Sequence, residues 1–188
     1  MDAAPRRQLD ARALIALAHP LRVQIRNELR ISGPATASQL ARRFGESSGA
    51  TSYHLRMLAR HGFIEPEDGR GTGRERWWRA VPAQLMLEDE LAGDDPAANE
   101  ALRLVKDEFR RMATRHLDAW LDRRDRWSEA WRDAGENAIY IAHLDADDAR
   151  ALRSELDAVL AEYARRPART GSRVVEIQLS LFPTGEPE

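Results

Sequence analysis

The stretch from Thr36 to Gly62, "TASQLARRFGESSGATSYHLRMLARHG", constrains this chain most tightly. It holds two short amphipathic segments with a glycine between them. Thr36 and Gln39 have the T-x-x-Q spacing of a capping box, which starts a helix. Leu40, Ala41 and Phe44 form that helix's apolar side, and Gly45 can end it in a left-handed conformation. Ser47 then caps a further helix that runs to about Arg60, and Gly62 ends it. Thr51, Leu55 and Leu58 fall on its inner side. His54 lies at the border, where a hydrogen-bonded edge of the core is favoured over a metal site. Ser48, Gly49, Ser52, Tyr53, Arg56 and Arg60 fall on the outer side. Helices this short are marginal alone in water, so the flanking chain must supply their core.

The flanks carry the needed patterns. Leu9, Ala13, Leu14 and Leu17 recur at helical spacing. Pro20 suits the first position of a second helix, whose buried face is Leu21, Ile25 and Leu29. "SGPAT" at 32–36 stops it. After Gly62, Phe63 to Glu67 reads as a short strand and "DGRGTG" as a turn in which Gly69, Gly71 and Gly73 permit positive φ. Arg74 to Val81 reads as the returning strand. Trp77 and Trp78 point to opposite faces of that hairpin. One therefore packs inward, and the other is left for a dimer helix or a second subunit.

From Ala97 the period changes. Ala98, Leu102, Val105, Phe109, Met112, His116 and Trp120 approach a heptad seam on one long helix. Continued to Trp131 and ended by Gly135, it is roughly 50 Å long at its ordinary rise. A helix of that length outreaches the front domain, so Leu102, Val105, Phe109, Met112 and Trp120 are assigned to a homodimer seam. Trp120, Trp127 and Trp131 are either plain core or one wall of a small-molecule effector pocket. "NAIYIAHL" at 137–144 then alternates like a strand. Asp145 and Asp148 favour a helix start, and Leu152, Leu156, Val159, Leu160 and Tyr163 form that helix's apolar stripe. In "SRVVEIQLSLFP" Val175, Ile177, Leu179 and Leu181 alternate with polar residues, as in a half-buried strand. Whether the strands 138–144 and 173–182 pair with each other or across a dimer is left open.

The expected fold is α+β and mostly helical. A three-helix-plus-hairpin domain occupies 9–82, a long dimerisation helix region 83–135, and a small β-α-β appendage 136–183. The chain has 188 residues and no Cys, which excludes disulfides, thiolate metal sites and cysteine nucleophiles. No apolar run approaches the ~20 residues that span a bilayer. The first residues lack a signal-peptide pattern, so a cytoplasmic protein without a membrane partner is expected. The net charge of −2 hides an asymmetry: residues 1–82 hold 14 Arg against 8 Asp/Glu, and the remainder holds 15 Lys/Arg against 23 Asp/Glu. A basic front on an acidic rear points to a polyanion at the front only. Arginine abundance alone is weak evidence, because Lys106 is the chain's single lysine.

Catalytic look-alikes fall away. Gly45-Glu46-Ser47-Ser48-Gly49 fits G-x-S-x-G, but a nucleophile elbow follows a strand and a helix precedes here. "GRGTG" joins two strands and lacks the dinucleotide spacing. Asp147 and Asp148 open a helix, where its dipole favours them without any chemistry. No enzyme activity is expected.

Helix, helix, helix, glycine turn, helix, hairpin is the order of a winged helix-turn-helix, in which the second helix of the motif enters the major groove. Small polar residues at the start of that helix allow close approach to base edges. Arg56 and Arg60, further along, suit phosphates. Residues 9–82 resemble the DNA-binding domain of ArsR-like bacterial transcriptional regulators. The resemblance rests on "HPLR", "ATASQLARRFG", "SYHLRMLARHGFIE" and "GRERWWRAV". It implies that Ser48, Ser52, Tyr53 and Arg56 meet the major groove of double-stranded DNA. It also implies that Arg70, at the wing tip, meets the minor groove or its backbone. Gly49, Arg60 and Arg74 complete the expected DNA-binding set. The chain departs from metal-sensing members: it has no Cys, and its histidines show no paired ligand spacing. No metal and no cofactor are therefore assigned. The expected protein is a homodimeric regulator, repressing from an inverted-repeat operator. The alternative is a winged helix that binds protein and not DNA.

Overall fold

The computed structural model describes residues 6–70, 75–87 and 92–186, which divide into two compact units meeting at Arg115 and His116. In the first unit, β1 (Arg6–Gln8) leads into α1 (Ala11–Leu17), α2 (Pro20–Ile31), β2 (Ala35–Thr36), α3 (Ala37–Phe44) and α4 (Ser48–Arg60). β3 (Ile64–Pro66), β4 (Trp77–Ala80) and β5 (Gln84–Met86) follow. α5 (Pro96–Leu121), as far as Arg115, closes the unit.

Local signals explain the element ends. Asp10 accepts from the Ala13 amide at 2.7 Å to open α1, and His19 with Pro20 opens α2. At α3 the reciprocal box forms: the Thr36 amide donates to Gln39 Oε1 at 2.9 Å, and the Gln39 amide to Thr36 Oγ1 at 3.3 Å. Gly45 ends α3 at φ +69°, a left-handed conformation that a side chain would strain.

One core joins these elements. Leu14, Leu17, Val23 and Ile25 meet Leu40, Leu55, Leu58, Phe63, Ile64 and Trp78. Each such side chain contributes about 1.5–3 kcal/mol when fully buried. The expected hairpin is present and gains a third strand: β2 and β3 both pair antiparallel with β4, in the order β2-β4-β3. The residues before Thr36 had been read only as a helix stop. Their two-residue strand is too short to leave a period of its own. The parallel pair β1-β5 also lay outside the sequence reading.

The stripe expected as a seam on α5 lies against the unit's own core. Leu102, Val105 and Met112 are buried in the unit's own core with Ala98 and Ala101, and Phe109 packs against it. Leu102, Val105, Phe109 and Met112 are thus covered within the chain, while Trp120 lies further along the helix. Glu108, 3% exposed, sits among them. It accepts from Gln24 Nε2 at 2.8 Å and from Arg115 at 3.2 Å, tying α5 to α2.

In the second unit α5 ends at Leu121, ten residues short of Trp131. "DRRDR" at 122–126 is the reason: five charged residues in succession offer no apolar side to hold another turn. A 3-10 turn (Arg124–Arg126) and α6 (Glu129–Ala134) follow, then α7 (Ala146–Arg165) where the Asp145 cap and apolar stripe place it. The flanking segments 138–144 and 173–182 are not strands within the single chain. A half-buried strand needs a neighbouring edge and a surface for its apolar face. Ile139 and Ile141 are instead 91% and 89% exposed.

Candidate nucleic-acid interface

α4 carries the site, and its own packing fixes which side is open. Thr51, Leu55 and Leu58 are buried, each under 2% exposed. The Thr51 hydroxyl donates to the Ser47 carbonyl at 3.0 Å, and the Ala50 amide donates to Ser47 Oγ at 3.1 Å. Helical spacing then turns Ser48, Gly49, Tyr53, Arg56 and Arg60 outward as exposed residues, with Ser52 partly so. Gly45 to Ser47 is thus the connector of two helices, with Ser47 as the cap of α4. Arg70, at the hairpin, is exposed and lies with its guanidinium 5.7 Å from the Trp77 ring centre. Arg74, Gly71 and Gly73 lie outside the described residues.

The basic side chains divide by partner. Arg79 is neutralised across the hairpin by Glu65 at 2.6 Å and Glu67 at 2.9 Å, and Arg43 by Glu28 at 2.8 Å. Among the described residues, no carboxylate pairs with Arg42, Arg56, Arg60 or Arg70. Between the start of α3, α4 and β4 lies a groove of about 300 Å³. It is lined by Thr36, Ser38, Ser52, Arg56, Arg76 and Trp78, among others. The sequence reading missed Ser38 and Arg76 here. The alternation that put Arg76 on Trp78's side of the strand was the available signal, and its guanidinium lies 4.5 Å from that ring centre.

Two supports hold α4 from behind. Arg7 donates to the Gly62 carbonyl at 2.5 Å and the His61 carbonyl at 2.6 Å, satisfying the helix's C-terminal end. No sequence signal marks this contact, since it joins residues more than fifty apart. At the other support, the His19 and His54 rings lie 4.5 Å apart, and Tyr53 meets His54 edge-on at 5.4 Å. Burial lowers both histidine pKa values; Arg22 lowers them further, and for His54 so does His19. His54 is at the core's edge as expected. Its Nδ1 is buried without a hydrogen-bond partner, though, because its neighbours there are a second imidazole and a guanidinium. Trp78 is the inward tryptophan of the hairpin, 6% exposed. Its neighbour Trp77 lies under the Arg70 guanidinium.

The second unit has a different feature. Trp120, Trp127 and Trp131 line a cavity of about 490 Å³ together with His116, Arg173 and Glu176. His116 Nδ1 lies 2.6 Å from Glu176 Oε2, and Arg173 lies 5.2 Å from the Trp127 ring centre. Gly135 is placed so that a Cβ would meet Trp120 at 2.5 Å, so this corner admits no side chain.

An open, arginine-bearing second helix, a capped glycine turn before it and a three-stranded wing make up a winged helix-turn-helix fold. Residues 17–67 match a family model described as a helix-turn-helix domain, which covers under half of the chain. No curated protein matches significantly. Among solved structures, the chain is similar to reduced HlyU from Vibrio cholerae N16961. That likeness has 20% identity over 50% of this chain and 85% of that one, with a TM-score of 0.32. It is also similar to a C30AH42A mutant of ZitR from Lactococcus lactis in its apo form, with 12% identity over 78% of this chain and 83% of that one and a TM-score of 0.35. Both are too distant to carry an argument. No helix among the described residues is long and apolar enough to cross a membrane.

Proposed function

We propose that the chain is an ArsR-like repressor that binds double-stranded DNA in the cytoplasm as a homodimer, on an operator with inverted half-sites. One observation carries this reading: the outward side of α4 presents Ser48, Gly49, Ser52, Tyr53, Arg56 and Arg60 while its inner side is locked into the core. Ser48, Gly49, Ser52 and Tyr53 approach base edges in the major groove. Arg56 and Arg60 hold phosphates, and Arg70 with Arg74 grips the adjacent backbone from the wing. Two subunits related by a two-fold axis put their α4 helices in grooves about 34 Å apart. Occupying a promoter in this way blocks transcription sterically.

Footprinting on genomic fragments tests the reading; an absence of protection at low salt on every fragment would remove it. Arg56→Ala sorts the contacts. Weaker binding to all sequences alike assigns Arg56 to phosphate, and relaxed preference at one base pair assigns it to base reading. The competing role as a protein-binding winged helix predicts no salt-sensitive affinity for random duplex. The cavity beside Trp120, Trp127 and Trp131 supports a small-molecule effector. Tryptophan fluorescence during a ligand screen reports on it directly, and Gly135→Ala, which fills the corner, should abolish that response.

A further inference from the structure

The second unit leaves its apolar residues uncovered. No residue of α7 is buried, although Leu152, Leu156, Val159, Leu160 and Tyr163 form a continuous stripe. On either side of it, Ile139, Tyr140 and Ile141 are more than four-fifths exposed, and Val174 and Phe182 are 65% and 70% exposed. Both segments keep the two-residue alternation of strands and belong to no sheet. The exposed apolar area of 139–182 sums to roughly 1,000 Å² or more, whereas a standard stable interface takes about 800 Å² from each partner. Isolated patches on monomers seldom pass a few hundred Å².

The charges say what covers it. α7 is capped by Asp145, carries Asp147 and Asp148 in its first turn and ends at Arg165, with Arg166 and Arg169 just beyond. Asp147 pairs with Arg150 and Arg166 with Glu162 at the surface, where such pairs are weak and exchangeable. Laid antiparallel on a copy of itself, it sets each acidic start against a basic end, twice over, by one two-fold operation. The two helix dipoles then oppose favourably as well. A parallel arrangement would set like charges together at both ends.

We propose that a second copy of this chain covers the 137–182 region, with the two α7 helices antiparallel and the segments 138–144 and 173–182 becoming strands only in that pair. This deepens the homodimer reading by giving it a contact in the C-terminal unit, and it does not depend on DNA binding.

Sedimentation of the full chain with two charge variants tests it. One carries Asp147→Arg and Asp148→Arg; the other carries Arg165→Glu and Arg166→Glu. All four positions are exposed, but Asp147 pairs with Arg150 and Arg166 with Glu162 along the helix, so circular dichroism of each variant checks that α7 persists. The wild type should be dimeric. Each variant alone should dimerise at least about tenfold more weakly, since like charges then meet at both ends. An equimolar mixture of the two should recover the dimer as a heterodimer. Amide hydrogen exchange should find 138–144 and 174–182 protected in the wild type and the mixture, and fast in each variant alone. A wild type that is monomeric at all concentrations overturns both this proposal and the homodimer reading. A dimeric wild type with variants that dimerise equally well, with no recovery on mixing, or with segments equally protected in the monomers, overturns this proposal alone.

Discussion

Gly49 separates fold from function at a single residue. A Cβ added there would meet only Ser47 Oγ, at 4.0 Å, so the protein's own packing does not require glycine. Gly49→Ala should leave the fold intact or stabilise it by up to about 1 kcal/mol, the usual helix advantage of alanine over glycine. The same change should weaken specific DNA binding, because the methyl group stands where a base edge must approach. Thermal unfolding and band shift on one preparation read both effects; unchanged affinity would take Gly49 out of the contact. The His19 and His54 pair makes a second prediction. Both bind a proton less readily in the folded chain than at their ordinary value of 6.5. The unfolded chain therefore holds more protons below that pH, so stability is full above about 6.5 and falls as acidity increases. Melting temperature should drop between about pH 7 and pH 5, and His54→Gln should flatten that drop. Equal slopes in variant and wild type would remove the pair from the acid response.

Element ends were legible where a side chain writes them locally. Thr36 with Gln39, Gly45, Ser47 and Asp145 all act at their own helix ends, and each was read correctly from the chain. Thr36→Ala should cost about 1 kcal/mol by losing the capping box, measured by chemical unfolding. A change below a few tenths would mean that the cap is idle. What failed were inferences that needed to know an element's neighbours. The 98–112 stripe of α5 is apolar as expected, but it is covered by the core of the same chain, which no period in the sequence reveals. Glu108 shows the same gap: it lies on that apolar side as a buried carboxylate, legible only once Gln24 and Arg115 are beside it. Glu108→Ala should destabilise by about 1–3 kcal/mol, since it strands the Gln24 amide. Glu108→Gln should recover part of that loss. In the same way "NAIYIAHL" and "SRVVEIQLSLFP" carry the alternation of strands without a partner edge in the single chain. The outward set on α4 was legible because an inner face determines an outer one. Arg7 and Ser38 were not, since each reaches the interface region through tertiary structure, and Arg76 was marked only by its alternation with Trp78.

At the scale of the whole molecule, the basic front half and the acidic rear half do different work. Under the two proposals, the first would offer its guanidiniums to a polyanion, and the second would bring two copies together. If each subunit neutralises about three phosphates, about six counterions leave per dimer, and the logarithm of affinity should fall with the logarithm of salt at a slope near −5. Arg56→Ala removes one contact from each subunit and should lessen that slope by about 2. The measurement that tests the central claim most directly is therefore a titration of labelled duplex over a salt series, with wild type and Arg56→Ala in parallel. A steep wild-type slope that becomes shallower in the variant is the expected result. Binding without salt dependence, or a variant indistinguishable from the wild type at every salt concentration, would contradict the assignment of α4 to DNA.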